Sequence, residues 1–191
     1  MPTPLFNARW ADRHLIEFSE RIARLNVSFP RVLPQEINKV GSKVKTQIIR
    51  TLRQQTGLKR DVIVKAIGRP RRAYPGHLSY EMVTRGGFIR LKYLSPQETK
   101  TGVVARPFGK RKLYPGTFMK GGAFPNRKDV PFFKGHVWRR IGNGRDRITQ
   151  VRSGVRIPDE MISGITLERF EQIAAPMLKK RIEVVLNKLV P

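Results

Sequence analysis

The chain has no cysteine and only three histidines among its 191 residues. Without cysteine there is no disulfide, no thiolate nucleophile and no cysteine-ligated zinc, a usage that suits a reducing cytosol. The histidines, His14, His77 and His136, stand far apart, and none has a second histidine at metal-pair spacing. No apolar run approaches the roughly 18 residues that a membrane span needs. The opening Met-Pro-Thr-Pro-Leu-Phe lacks the basic and apolar regions of a secretory signal. The expectation is a protein made in a cytoplasm, with no membrane partner. Acid is the other scarcity: 14 Asp and Glu face 39 Lys and Arg, a net charge of +25. Such an excess opposes compaction by self-repulsion and asks for a polyanion or an acidic partner to offset it.

The charge is unevenly spread. From Lys100 to Arg147 there are 13 Lys and Arg and two acids, Asp129 and Asp146, whereas the chain from Thr166 onward is nearly balanced. One region is built to meet negative charge and another to pack. A hydrophobic content of 39%, with 10 Phe and 2 Trp, supports a real core rather than a disordered polyelectrolyte.

Two periodicities divide the chain. Leu15, Phe18, Ile22 and Leu25 fall on one face of a short helix, which Asn26 to Pro34 then breaks with two prolines. Leu33, Ile37, Val40, Val44, Ile48 and Leu52 form the stripe of a longer helix that stops at Thr56-Gly57. Leu58 to Ile67 reads as a third, short helix ending at Gly68. From His77 the period becomes two, and the run through Met82, a turn at Thr84 to Gly87 and the run Phe88 to Leu94 predict an antiparallel hairpin. A second hairpin is expected from Gly135 to Val155, turning at Gly142-Asn143-Gly144. Between them, Ser95 to Lys134 carries five prolines, five glycines and seven Phe, Tyr or Met residues. It reads as a long loop that either docks onto a neighbour or lies on its own domain. Thr166 to Leu189 is the clearest amphipathic helix, with Thr166 as its N-cap and Pro176 kinking or splitting it. The fold class is α+β: N- and C-terminal helices around a small antiparallel sheet, with residues 1–29 an arm and 30–191 one domain.

A search for chemistry returns little. Gly142-Asn143-Gly144 lies in a hairpin turn and lacks the third glycine of a dinucleotide loop, and Gly109-Lys110-Arg111 lacks the hydroxyl of a phosphate loop. The scattered carboxylates allow a metal-dependent nuclease only as a remote reading. No catalytic residue, cofactor or metal site is expected. The basic clusters carry the chemical content: Arg69, Arg71 and Arg72; Arg106, Lys110, Arg111 and Lys112; Arg139, Arg140, Arg145 and Arg147. They suit phosphates read without sequence, and Tyr74, Phe108 and Tyr114 are side chains on which bases stack. They suit acidic protein neighbours equally.

The run Ile37 to Ile67, with Gln47-Ile48-Ile49-Arg50-Thr51-Leu52 and Thr56-Gly57-Leu58-Lys59-Arg60-Asp61-Val62, resembles the bacteriophage minor tail protein Z family. So do Gly135-His136-Val137-Trp138-Arg139-Arg140-Ile141-Gly142, Val155-Arg156-Ile157-Pro158 and the closing helix. The likeness departs at Pro2 to Phe29 and from Tyr114 to Phe133. The resemblance implies a structural virion protein that completes long phage tails at their head-proximal end. It also implies α+β protomers arranged in a ring, neighbours in the tail or head–tail connector, and no catalytic residues. On that reading Arg106, Phe108, Lys110, Arg111, Lys112, Tyr114 and Phe118 are candidate subunit contacts. Lys39, Lys43, Arg50 and Arg53 are candidates to face passing DNA. The alternative is a free basic nucleic-acid-binding protein.

Overall fold

The computed structural model describes residues 6–7, 19, 29–142 and 147–189. Its spine is helix α1, Phe29–Thr56. The 3.6-residue stripe read from the sequence is buried as expected, with Phe29, Val44 and Leu52 fully inaccessible and Ile37, Val40 and Ile48 nearly so. The helix begins earlier than the prolines suggest. Pro30 lies in its first turn, where no intrahelical N–H bond is lost. Pro34 is buried just beyond it, and helix packing overrides its missing donor. Gly57 ends the helix at φ 74°, and its N–H bonds the Arg53 carbonyl at 3.0 Å. Helix α2, Arg60–Ile67, folds back and stops at Gly68. There Lys45 Nζ donates to the Gly68 carbonyl at 2.7 Å, and burial lowers the pKa of this lysine.

The closing helices are α3, Ile157–Met161, and α4, Gly164–Leu189. Helix α4 runs as one element with Pro176 inside it, so the proline does not split it. Pro176 is exposed, which leaves the carbonyl it strands open to water. Helix α4 lies antiparallel along α1. Near one end the Arg181 guanidinium bonds the buried carboxylate of Glu36, which also takes Lys39 Nζ at 2.6 Å. Near the other end, Gln55 of α1 joins three parts of the chain. Its amide nitrogen donates to the Glu160 carbonyl at 3.1 Å and the Ser163 carbonyl at 3.2 Å. Its amide oxygen accepts from the Thr166 N–H at 3.1 Å and hydroxyl at 2.7 Å. Thr166 was expected to cap its own helix. Instead it is the third residue of α4, fully buried, and a side chain from α1 satisfies its open N–H in that first turn.

The strands form three small antiparallel sheets. Strand β1 (Phe6–Asn7) pairs with β2 (Val83–Thr84). The first three-stranded sheet has the order β3 (Gln97–Glu98), β4 (Gly102–Ala105), β5 (Lys112–Pro115). The second has the order β6 (Thr117–Phe118), β7 (Trp138–Arg140), β8 (Ile148–Gln150). Thr117 ties them together: its Oγ1 accepts from the Val103 N–H at 3.1 Å and donates to the Tyr114 carbonyl at 2.7 Å.

The pairing of β7 with β8 matches the second expected hairpin, whose turn lies partly outside the described residues. The first expected hairpin does not form. Val83 and Thr84 pair with the arm rather than with residues 88–94. Residues Leu91–Tyr93 are a 3₁₀ turn, and Ile89 bonds Val155 and Ser153 instead. Nor is Ser95 to Lys134 without structure, since it supplies β3 to β6. All four residues of β4 are buried, so that strand has no alternation to read. The expected helix through Leu15, Phe18, Ile22 and Leu25 and the position of His14 lie outside the described residues.

Candidate interaction surfaces

Two basic surfaces emerge, at opposite extremes of regularity. The first is the tip of the β4–β5 hairpin. Pro107–Gly109 makes a 3₁₀ turn in which Phe108 takes left-handed backbone angles, φ 55° and ψ 29°. A bulky aromatic is uncommon there, and surrounding structure must hold it. The end of α1 supplies that hold. A Cβ at Gly57 would lie 2.8 Å from the Gly109 nitrogen and 2.9 Å from the Arg106 carbonyl oxygen, so glycine allows the helix end to close on the tip. The contact brings exposed Arg53, Lys59 and Arg60 alongside exposed Arg106, Lys110, Arg111 and Lys112. None of these seven has a described carboxylate within ion-pair distance. Phe108 stands 41% exposed among them. The cations also sit at the negative end of the α1 dipole, where positive charge is favourable by roughly 0.3–1 kcal/mol each at most.

This placement redistributes the sequence candidates. Arg106, Phe108, Lys110, Arg111 and Lys112 share one exposed tip. Tyr114 does not join them: it is 9% exposed beneath Lys112, whose Nζ lies 5.6 Å from the ring centroid, so its ring is not free for a neighbouring subunit. Burial raises the pKa of its phenol. Phe118 belongs to the second sheet. The four helix candidates do not form one stripe facing one partner. Lys39 is paired with Glu36. Lys43 borders an open groove of about 310 Å³ between α1 and α4, floored by Ile173 and Met177 and flanked by Arg169. Arg50 and Arg53 are exposed further along, with Arg53 roughly 21 Å from Lys39 at the helical rise. Arg53 thus sits with the hairpin tip, which no sequence spacing indicates.

The second surface is the outer face of the β6–β7–β8 sheet. Register sets Phe118 opposite Trp138. The 3₁₀ turn Pro131–Phe133 then lays two more rings on them. Phe132 stacks on Trp138 with centroids 5.7 Å apart and planes 23° apart. Phe133 meets Phe118 edge-on at 5.6 Å, and the Arg140 guanidinium lies 5.4 Å over Phe118. Below them His136 packs edge-on to Trp138, and Lys92 Nζ donates to its Nε2 at 3.0 Å. Burial first, then the charges of Lys92, Arg90 and Lys134, lower the His136 pKa, so the ring stays neutral near pH 7. Its Nδ1 is buried with no hydrogen-bond partner. The sequence names Phe132, Phe133 and Trp138 one by one; only the turn and the register make them a cluster.

The long segment between the two surfaces is pinned to its own domain. Arg127 pairs with Glu98 at 3.1 Å and donates to the Lys120 carbonyl at 3.1 Å, and Glu98 accepts the Met119 N–H at 3.2 Å. Residues 119–128 therefore fold back, leaving the 106–112 tip as the part that projects.

One cluster has catalytic residue types. Ser79 Oγ lies 2.5 Å from His77 Nε2 and 3.3 Å from Glu81 Oε1. In a nucleophilic triad the carboxylate holds the far nitrogen of the imidazole, whereas here serine sits between histidine and glutamate. Glu81 also faces Arg71 at 3.5 Å, and Ser79 is 4% exposed. The group is a buried polar anchor for the 71–81 bridge, not a relay. Among the described residues no group of three or more His, Asp or Glu is placed to hold a metal ion, and no helix is long and apolar enough to cross a membrane. Compared with protein families, curated proteins and solved structures, the chain matches none.

Proposed function

We propose that this chain is a structural assembly protein of a long-tailed phage, acting at the head-proximal end of the tail. The observation that carries this reading is the hairpin tip. Seven cations and an exposed, conformationally held Phe108 are gathered at one end, with no described carboxylate to neutralise them. A surface of that kind is completed by an acidic neighbour. The segments that resemble minor tail protein Z are also the framework: Gln47 to Leu52 lies in α1, Thr56-Gly57 is its end, Trp138 is in β7 and Ile157-Pro158 opens α3. The departing stretch, Tyr114 to Phe133, supplies β6 and the aromatic cover of the second sheet.

On this reading the tip contacts a neighbouring subunit or connector protein, and copies of the chain form a ring. The charge-reversed variant Arg106→Glu/Lys110→Glu/Arg111→Glu/Lys112→Glu, placed in the phage genome, is expected to give heads and tails that fail to join. Whole-virion reconstruction of the parent should place the chain at the tail's head-proximal end. A particle that lacks the chain, or joined particles from the reversed variant, would refute the reading.

A further inference from the structure

The aromatic face of the second sheet is a surface separate from the hairpin tip, and the assembly reading draws on it only through Phe118. Phe132 is 68% exposed, the most exposed of the large apolar side chains among the described residues. It is not loose. One ring face is stacked on Trp138, which is 8% exposed and itself fixed by β7 and by its indole N–H to the Phe133 carbonyl at 3.4 Å. Most of the rest of the residue is open to solvent, so the ring can receive a further planar group. The surroundings are positive. Exposed Lys134 follows the aromatic turn, and Lys92 and Arg90 act on His136 directly beneath Trp138. Among the described carboxylates nearby, Asp129 is already engaged by Lys120 at 3.2 Å.

We propose that this face binds single-stranded nucleic acid, with Phe132 stacking a base and Lys134 meeting the adjacent phosphate. The occupant has to satisfy two conditions at once. It must carry negative charge, since Lys134 beside the stack pairs with no described carboxylate. It must also offer a planar face to extend a two-ring stack, and an unpaired base does so regardless of sequence. An acidic peptide meets the first condition and not the second. Paired bases in a duplex are closed to Phe132. The inference stands on this face alone and does not depend on the tail reading.

The test is binding of a short oligothymidine to the full-length protein at moderate salt, where the general attraction of a basic chain is screened. It is followed by fluorescence of Trp138 in a Trp10→Phe background. Stacking on the Phe132–Trp138 pair should quench the indole emission. Phe132→Ala should weaken binding about tenfold, the loss expected for one stacked base, and Phe132→Trp should restore it. Because Phe132 is so exposed, the alanine variant is expected to melt with the parent, which separates loss of the surface from loss of the fold. Three results would overturn the proposal: equal affinity for parent and Phe132→Ala; equal competition by polyglutamate and oligothymidine; or preference for duplex over single strand.

Discussion

The seam between α1 and α4 and the outer face of the second sheet are both apolar patches bordered by cations, yet they treat those cations differently. In the seam, Arg181 and Lys39 converge on one buried carboxylate, Glu36, and Gln55 satisfies the ends of both partner helices. On the sheet, Lys92 meets a neutral imidazole, Arg140 meets a ring, and Lys134 meets no described carboxylate. The seam closes its polar accounts within the chain, and the sheet leaves Lys134 without a described anion. Charge alone therefore does not mark a binding surface in so basic a protein. The proposed binding surfaces are marked by charge left unanswered beside an aromatic that is held but exposed.

Breaking the seam should produce the largest effects. Leu52→Ala empties a fully buried site in α1 and is expected to cost about 2–5 kcal/mol in urea unfolding. Gly41→Val drives a side chain into the Tyr80 ring, which packs directly on that glycine, and should cost about 1–3 kcal/mol. Glu36→Gln leaves Arg181 and Lys39 without their anion. Both cations reach solvent, so the expected loss is about 1–2 kcal/mol, less than for a fully buried pair.

Acid should sharpen the contrast in two stages. The folded protein resists protonation of His136, whose pKa is held below the usual 6.5 by burial and then by neighbouring cations. The unfolded chain takes that proton more readily, so His136 costs no stability above pH 6.5 and its contribution is lost as the pH falls below that value. Glu36 acts lower down. Burial alone would raise its pKa, but the bonds from Lys39 and Arg181 prevail and lower it from 4.5. Its contribution is present above 4.5 and lost as the pH falls through the depressed folded value. Melting temperatures across this range should fall in both stages, with His136→Gln removing only the upper one.

Sequence periodicity reveals α1, α2, the β7–β8 pair and α4, because each is local and marked by a stripe or a stopping glycine. It fails where the partner is distant. Val83 and Thr84 alternate as a strand should, but nothing in their neighbourhood says that the mate is Phe6–Asn7. Prolines and glycines hide β4, whose four buried residues show no alternation. The cations of the hairpin tip are legible as a cluster. Their union with Arg53 through Gly57 is tertiary, as is the stacking of Phe132 on Trp138. The basic face read along α1 divides for the same reason, with Lys39 answered by Glu36 and Arg53 given over to the tip.

On the proposed reading the unanswered cations serve a partner rather than the fold, and urea unfolding of the fourfold variant Arg106→Glu/Lys110→Glu/Arg111→Glu/Lys112→Glu tests that most directly. The substitutions lower the net charge of +25 by two at each site. Relief of self-repulsion and the unfavourable meeting of glutamates with the α1 C-terminus oppose one another. The unfolding free energy should therefore stay within about 1 kcal/mol of the parent, with an unchanged denaturant slope. A loss comparable to that of Leu52→Ala would contradict the account and make the hairpin tip part of what holds the chain together.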